Sequence, residues 1–249
     1  MASPLCEGPM GFCSRLQLLG IVLSGTILGC STQRVTVPRI PPLVFPPKPA
    51  TFWSESFDVL QPDVWREMEV HGHTRYESVE LEGRRCLKAE SHSAASILLH
   101  PIRVDPKTYE WLSWEWRVDH PVSGEALARK NGSDAAARVY VYFESNGLPW
   151  QKHNLDYVWS TSLPVGTILN SAYSASSKII VVESGSASLG HWRSVTRNIR
   201  DDYKRAFGHR PSDVLAIGLM TDTDDTNGDA LAYFDELRMS RQPTPGTSR

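Results

Sequence analysis

The chain has 249 residues and a formal net charge of −2, from 26 basic and 28 acidic side chains. This near balance, without a Lys/Arg-rich block, argues against an electrostatic footprint for nucleic acid. Hydrophobic residues make up 41% of the chain and charged residues 22%, which is near the globular average and ample for one large β domain or two small ones.

The first 29 residues are predicted to be a signal peptide. Arg15 precedes an apolar run, Leu16 to Leu28, that is short for a membrane span. The run ends in Ile-Leu-Gly-Cys30-Ser31, which resembles the bacterial lipobox, so we expect cleavage before Cys30 and lipidation of that residue. Ser31 favours an outer-membrane lipoprotein that faces the periplasm. An ordinary signal peptide or an uncleaved anchor remains an alternative.

Cysteine usage agrees with this expectation. Cys6 and Cys13 would leave with the signal peptide and Cys30 would carry lipid, so Cys86 alone remains and no internal disulfide is expected. Residues 30–51 are rich in proline and predict an extended, semi-rigid tether between the membrane and the domain. We expect the folded domain at 52–240 and a frayed tail at 241–249.

The domain reads as many short strands with turns between them, among them a hairpin-like turn at Glu82-Gly83-Arg84-Arg85. The alternation and turn residues predict strands at 54–59, 65–70, 75–81, 86–89, 94–99, 102–104, 112–119, 138–144, 155–159, 178–183, 214–220 and a last strand ending near 239. One amphipathic helix is predicted at 194–208, with Ser194 as its N-cap and Gly208 at its end. This pattern predicts a mainly β protein, a β-sandwich or jelly roll with one helix.

Two predicted strands have polar outer rows that suit ligand binding. In 112–119, Trp114 and Trp116 belong to the apolar row and Arg117 to the polar one. The outer row of 138–144 alternates charged residues with tyrosines. The candidates for ligand binding are Arg117, Arg138, Tyr140, Tyr142 and, in the following loop, Trp150. The long loop at 120–136 is expected to be functional or mobile.

An enzyme is not favoured, although one acid pair requires a test. A glycosidase needs two carboxyl groups about 5–10 Å apart. Glu115 and Glu144 lie on the outer rows of the two strands and are the candidates for such a pair. The sequence contains no nucleophile elbow and no glycine-rich phosphate loop.

The segment 222–229 concentrates acidic side chains. Asp222, Asp224, Asp225 and Asp229 are hard oxygen ligands that could bind Ca²⁺, but the EF-hand spacing fails, and the same residues suit a tight turn. Asp235, in the last strand, shares a sequence row with Leu237 and is expected to point inward. An inward carboxylate needs a metal, several donors or an arginine, such as Arg117 or Arg138.

The order of five blocks resembles a bacterial family of predicted secreted or lipid-anchored proteins, domain-of-unknown-function family 3047. The blocks are WEWRVD at 114–119, ARVYVYFE at 137–144, KIIVVESG at 178–185, LGHWRSVTRNIRDDYKRAFG at 189–208 and IGLMTDTDDTNGDALAYFDEL at 217–237. The resemblance implies a domain type and an envelope location, but it assigns no catalytic residues.

A looser resemblance is to carbohydrate-binding jelly-roll modules. In these modules an early acidic segment and an Asp in the last strand hold a structural Ca²⁺, which implies Glu55 or Asp58 together with Asp235 here. The preferred hypothesis is therefore a non-catalytic, lipid-anchored β-sandwich that binds a glycan or another envelope component. A polysaccharide hydrolase or lyase, and a protein–protein module that binds through loop 120–136, are the alternatives.

Overall fold

The computed structural model describes residues 51–144 and 152–243, which form thirteen strands and one helix. In chain order they are β1 (Thr51–Glu55), β2 (Arg66–His71), β3 (Arg75–Leu81), β4 (Arg84–His92), β5 (Ala95–Val104), β6 (Trp111–His120), β7 (Ala137–Phe143), β8 (Asn154–Ser160), β9 (Ile168–Asn170), β10 (Ser177–Ser184), β11 (Arg193–Asn198), α1 (Ile199–Phe207), β12 (Val214–Asp222) and β13 (Asp229–Ser240).

The strands form two sheets, sheet A and sheet B. Sheet A has the order β11-β6-β13-β4-β3, with β1 also paired to β13. Sheet B has the order β2-β5-β12-β7-β8-β10-β9, and its β8–β10 pair is parallel. The predicted fold class, a mainly β sandwich of the jelly-roll type with one helix, is confirmed.

Aromatic side chains join the two sheets. Trp114 and Trp116, on the inner row of β6, are almost fully buried. Their ring centroids lie 5.3 Å from Tyr157 and 6.0 Å from Trp159, both on β8 of sheet B. The alternation in β6 therefore predicted the inner face of sheet A correctly.

The helix is shorter than predicted. Its first five predicted residues belong to β11, which pairs with β6 so that Val195 lies opposite Trp114. The β-branched residues Val195 and Thr196 suit a strand. The N-cap is Asn198, whose side-chain oxygen accepts a hydrogen bond from the backbone N–H of Asp201 at 3.0 Å, so the prediction of Ser194 was wrong. Gly208 ends the helix in the left-handed conformation, as predicted.

The segment between β6 and β7 is not a projecting loop. Leu127 and Ala135 are buried against Val158 and Ile179, on the outer face of sheet B. The expectation of a mobile loop was therefore wrong for Leu127 and Ala135, because they complete a small second core. The hypothesis that 120–136 binds a partner stays a prediction.

The predicted signal peptide at 1–29 and almost all of the tether at 30–51 lie outside the described residues, so both stay predictions. Within the described ranges, no helix has the length and apolar character needed to cross a membrane.

The corrected helix start makes a prediction. Asn198→Ala removes the acceptor for the Asp201 N–H and should lower the free energy of unfolding by about 1 kcal/mol. Asn198→Asp keeps an acceptor and should stay within a few tenths of wild type. Urea unfolding followed by circular dichroism measures both, and equal stability of the alanine variant and wild type would contradict this cap.

Candidate functional site

Strand β13 changes its neighbour part-way along sheet A. Its first half pairs with β4, ending at Phe234 opposite Leu87, and its second half pairs with β1, starting at Leu237 opposite Glu55. Between the two, no described strand pairs with this edge of β13 at residues 235–236. The exchange leaves a gap in the sheet, and that gap forms the floor of a groove.

A β-bulge lies at the same place on the other edge of β13. Asp235 is opposite Glu115 of β6, whereas Arg238 is opposite Ser113, so β13 contains one extra residue. Asp235 and Glu236 consequently both line the groove, while Leu237 returns to the core. The prediction that Asp235 and Leu237 face the same side of the strand was therefore wrong, because the bulge changes the alternation between them.

Arg84, the first residue of β4, reaches across the gap and binds both carboxylates. Its Nε donates to Asp235 Oδ2 at 2.9 Å and its Nη1 to Glu115 Oε2 at 2.7 Å, and Nη2 also contacts Asp235. The Ser194 hydroxyl donates to the other Glu115 oxygen at 3.1 Å. The acidic side chains are only 5% and 8% exposed, against 26% for Arg84, so the guanidinium lies above them.

Burial governs the electrostatics of the trio formed by Arg84, Asp235 and Glu115. Burial raises the pKa of Asp235 to about 6, while the hydrogen bonds and positive charge of Arg84 act in the opposite direction. Asp235 can therefore change its protonation state near neutral pH, which an exposed aspartate does not do.

Trp192 completes the floor. The Arg84 guanidinium carbon lies 4.0 Å from the Trp192 ring centroid, a cation–π geometry that further fixes the arginine. The Trp192 indole N–H is buried and makes no hydrogen bond. Trp192 also lines the groove, whose volume is about 1200 Å³. The result is a polar, aromatic surface whose central cation is held by three neighbours.

Backbone strain concentrates around the groove. Among the described residues, five non-glycine residues have positive φ. Three of these are at the groove: Glu82 (φ 54°), Glu236 (φ 49°) and Phe57 (φ 53°), which lies between the lining residues Ser56 and Asp58. Glu82 belongs to the Glu82-Gly83 turn and Glu236 to the β-bulge, so two of these conformations are part of the backbone features that shape the groove.

The predicted acid pair is not formed. Glu115 is on sheet A and bonds Arg84, whereas Glu144 follows β7 on sheet B and bonds Arg103 at 2.8 Å. The prediction that the polar rows of 112–119 and 138–144 form one binding surface was also wrong, because β6 and β7 belong to different sheets.

The other ligand candidates have mixed outcomes. Arg117 binds Asp119 and Glu82 at the groove rim. Arg138 is buried and bonded to Asp156 and Asp222, so it is not available to a ligand, and neither arginine partners Asp235 as expected.

The predicted aromatic candidates lie elsewhere. Tyr140 and Tyr142 are stacked with centroids 5.6 Å apart on the outer row of sheet B, away from the groove's lining. Trp150 lies outside the described residues.

Two side chains of the acidic segment 222–229 lie close together, as predicted. Asp222 and Asp224 meet Asp134, which the sequence did not suggest, with one carboxylate oxygen from each lying within 4.8 Å of the others. The Asp134 carboxylate also accepts the backbone N–H groups of Asp225 and Thr226, as in the turn interpretation. Burial raises the pKa of Asp222 to about 7 despite its bond to Arg138. The calcium expectation for this cluster stays a prediction.

The second implied calcium set does not assemble. The Glu55 carboxylate accepts the Phe57 backbone N–H at 2.9 Å and the Trp65 indole N–H at 3.0 Å. Asp58 lines the groove and accepts the Ser56 hydroxyl. Asp235 is satisfied by Arg84, so among the described residues these three acids form no common ligand group.

Sequence reasoning missed Arg84 and Trp192. The Glu82-Gly83 turn was predicted, and both residues have positive φ with Leu81 opposite Arg84. That turn fixes Arg84 as the first residue of the returning strand, but the sequence contains no signal that β13 lies beside it. Trp192 was only one of many aromatic residues.

The family described as "Protein of unknown function (DUF3047)" matches residues 63–238. The chain belongs to this family. No curated protein matches the sequence.

Three solved structures share a limited likeness with this DUF3047 chain. The xyloglucanase domain of NopAA from Sinorhizobium fredii is 10% identical over 74% of this chain and 96% of that one, with TM-score 0.42. A non-crystalline cellulose-specific carbohydrate-binding module, CBM28, is 13% identical over 80% and 99%, with TM-score 0.40. The tandem CBM22 domains of Paenibacillus barcinonensis Xyn10C are 14% identical over 78% of this chain and 51% of theirs, with TM-score 0.38, so the chain spans about half of that tandem.

The raised pKa of Asp235 predicts a pH dependence. Between about pH 4 and 6 the folded protein retains a proton that the unfolded chain has released, so this group lowers the free energy of unfolding as pH rises through that window. Asp235→Asn removes the titration, so the stability of the variant relative to wild type should increase from pH 4 to 7. Urea unfolding at several pH values measures this difference, and a pH-independent difference would refute the assignment.

Proposed function

We propose that this protein is a lipid-anchored domain of the bacterial cell envelope that binds a glycan in the groove of sheet A, without catalysis. The observation that carries the proposal is the position of Arg84, stacked on Trp192 and fixed by Asp235 and Glu115 at the gap in the sheet. An arginine held in this way loses little side-chain entropy when a ligand binds.

The chemistry of the groove suits a sugar. Sugar hydroxyls both donate and accept hydrogen bonds, and the groove presents guanidinium donors beside carboxylate and hydroxyl acceptors. Trp192 lines the groove, and because the Arg84 guanidinium lies over its ring at 4.0 Å, its part in binding is to hold that arginine in place. The groove's volume of about 1200 Å³ exceeds the range of about 300–1,000 Å³ of small-molecule pockets, which favours a chain of several sugars.

The binding proposal predicts which substitutions matter. Trp192→Ala should weaken oligosaccharide binding at least tenfold, about 1.4 kcal/mol, because it removes the ring that supports Arg84. Tyr142→Phe, on the outer row of sheet B, should leave the Kd unchanged. Glycan-array screening followed by calorimetry measures both, and the reverse order of effects would move the binding site to the tyrosines.

Hydrolysis is the second candidate, and one observation favours it. Asp235 lies directly opposite Glu115, and its raised pKa of about 6 suits a general acid. Both carboxyl groups bond the same Arg84 guanidinium, so they lie close together, as the two acids of a glycosidase must. Both acids, however, lie beneath Arg84, which would have to move before a glycosidic oxygen could reach them. Release of reducing sugar by wild type but not by Asp235→Asn would establish this candidate over pure binding.

The lipid anchor is a separate part of the proposal and rests on the sequence around Cys30. In a bacterial host, the wild-type protein should partition into the membrane and detergent phases and incorporate labelled fatty acid. Cys30→Ser should abolish the labelling and release the protein in soluble form. Equal labelling of the two proteins would overturn the anchor and leave the groove proposal untouched.

A further inference from the structure

We infer that the groove selects an uncharged oligosaccharide and discriminates against anionic glycans. The inference rests on the proposed glycan binding and adds the class of glycan. It is carried by the arrangement of charges around the groove, where five carboxyl side chains face four arginines and most of them already form ion pairs.

The central charges are already paired. Arg84 gives three hydrogen bonds to Asp235 and Glu115, and its guanidinium lies over the Trp192 ring. Two carboxylates against one guanidinium leave this trio with a net negative charge. An anionic sugar bound at Arg84 would either displace one of these carboxylates, which are only 5% and 8% exposed, or lie beside both of them, and both arrangements are unfavourable.

The rim is paired in the same way. Arg238 contacts Glu236 at 3.3 Å, Arg193 contacts Glu183 at 2.8 Å, and Glu82 contacts Arg117 at 2.6 Å. A charged ligand at the rim would compete with these partners, whereas a hydroxyl could add a hydrogen bond without breaking a pair. Specificity of this kind arises from what the wrong ligand would have to displace.

Neutral hydroxyls can use the capacity that remains. A guanidinium has five N–H donors, and Arg84 uses three of them within the trio. Each carboxylate can accept about four hydrogen bonds, so Asp235 and Glu115 retain acceptor sites as well. Adjacent sugar hydroxyls can bridge such donors and acceptors without a change in net charge.

Arg85 provides the internal control. It lines the groove, is exposed, and forms no ion pair with any residue in 51–144 or 152–243. An anionic glycan would use this arginine first, whereas a neutral glycan has no need of its charge. Arg85→Gln therefore separates the two classes of ligand without disturbing the Arg84 trio.

The test uses the full chain in detergent and calorimetry at 20 and 300 mM NaCl. The panel comprises neutral hexasaccharides (β-1,4-glucan, β-1,4-mannan, β-1,4-xylan and α-1,4-glucan) and an anionic hexagalacturonate. We expect a neutral member to bind, with a Kd that changes less than twofold with salt and with Arg85→Gln. Hexagalacturonate should bind at least tenfold more weakly.

Two outcomes overturn the inference, and they differ in what else they remove. If hexagalacturonate binds as tightly as the best neutral sugar, with a Kd that rises with salt, the charge selection is wrong but glycan binding stands. If no hexamer binds to protein whose folding is confirmed by circular dichroism, the proposed function fails and the inference fails with it.

Discussion

The exchange of partners along β13 is the constraint on which the groove depends. One edge of a strand can pair with only one neighbour at a time, and β13 passes from β4 to β1 between Phe234 and Leu237. The bulge at this point adds a residue, so two acidic side chains lie at the groove while Leu237 stays in the core. Without the exchange, β4 would cover the floor and Arg84 would have no gap to cross.

Arg84 and Arg138 each bind two buried carboxylates, and the contrast between these two arginines is informative. Arg138, with Asp156 and Asp222, is 3% exposed and lies among the residues that support the 121–136 segment. Arg84, with Asp235 and Glu115, has the same chemistry but is 26% exposed and opens to a groove. The first therefore satisfies a buried charge within the fold, while the second presents its remaining donors to solvent.

The sequence predicted those features that depend on local alternation and turn chemistry. The inner row of β6, the Glu82-Gly83 turn and the Gly208 helix end all follow from patterns within a few residues. The predictions that failed needed long-range pairing. Whether Glu115 neighbours Glu144 or Asp235 depends on which strands share a sheet, and those strands are separated by more than a hundred residues in the second case. The spacing of residues 194–198 predicted a helix, but in the structure these residues form a strand that pairs with β6.

The same geometry argues for binding over catalysis. A hydrolase must bring a carboxyl group to the reacting oxygen, yet the acids here are the most buried members of the trio, and the arginine above them is the most exposed. Strained backbone at Glu82, Glu236 and Phe57 holds the surrounding segments in place, which favours a site formed before its ligand arrives. We expect a preformed polar surface with paired charges to bind its ligand through shape and hydrogen bonds. A sugar ring can provide both, which agrees with the proposed ligand.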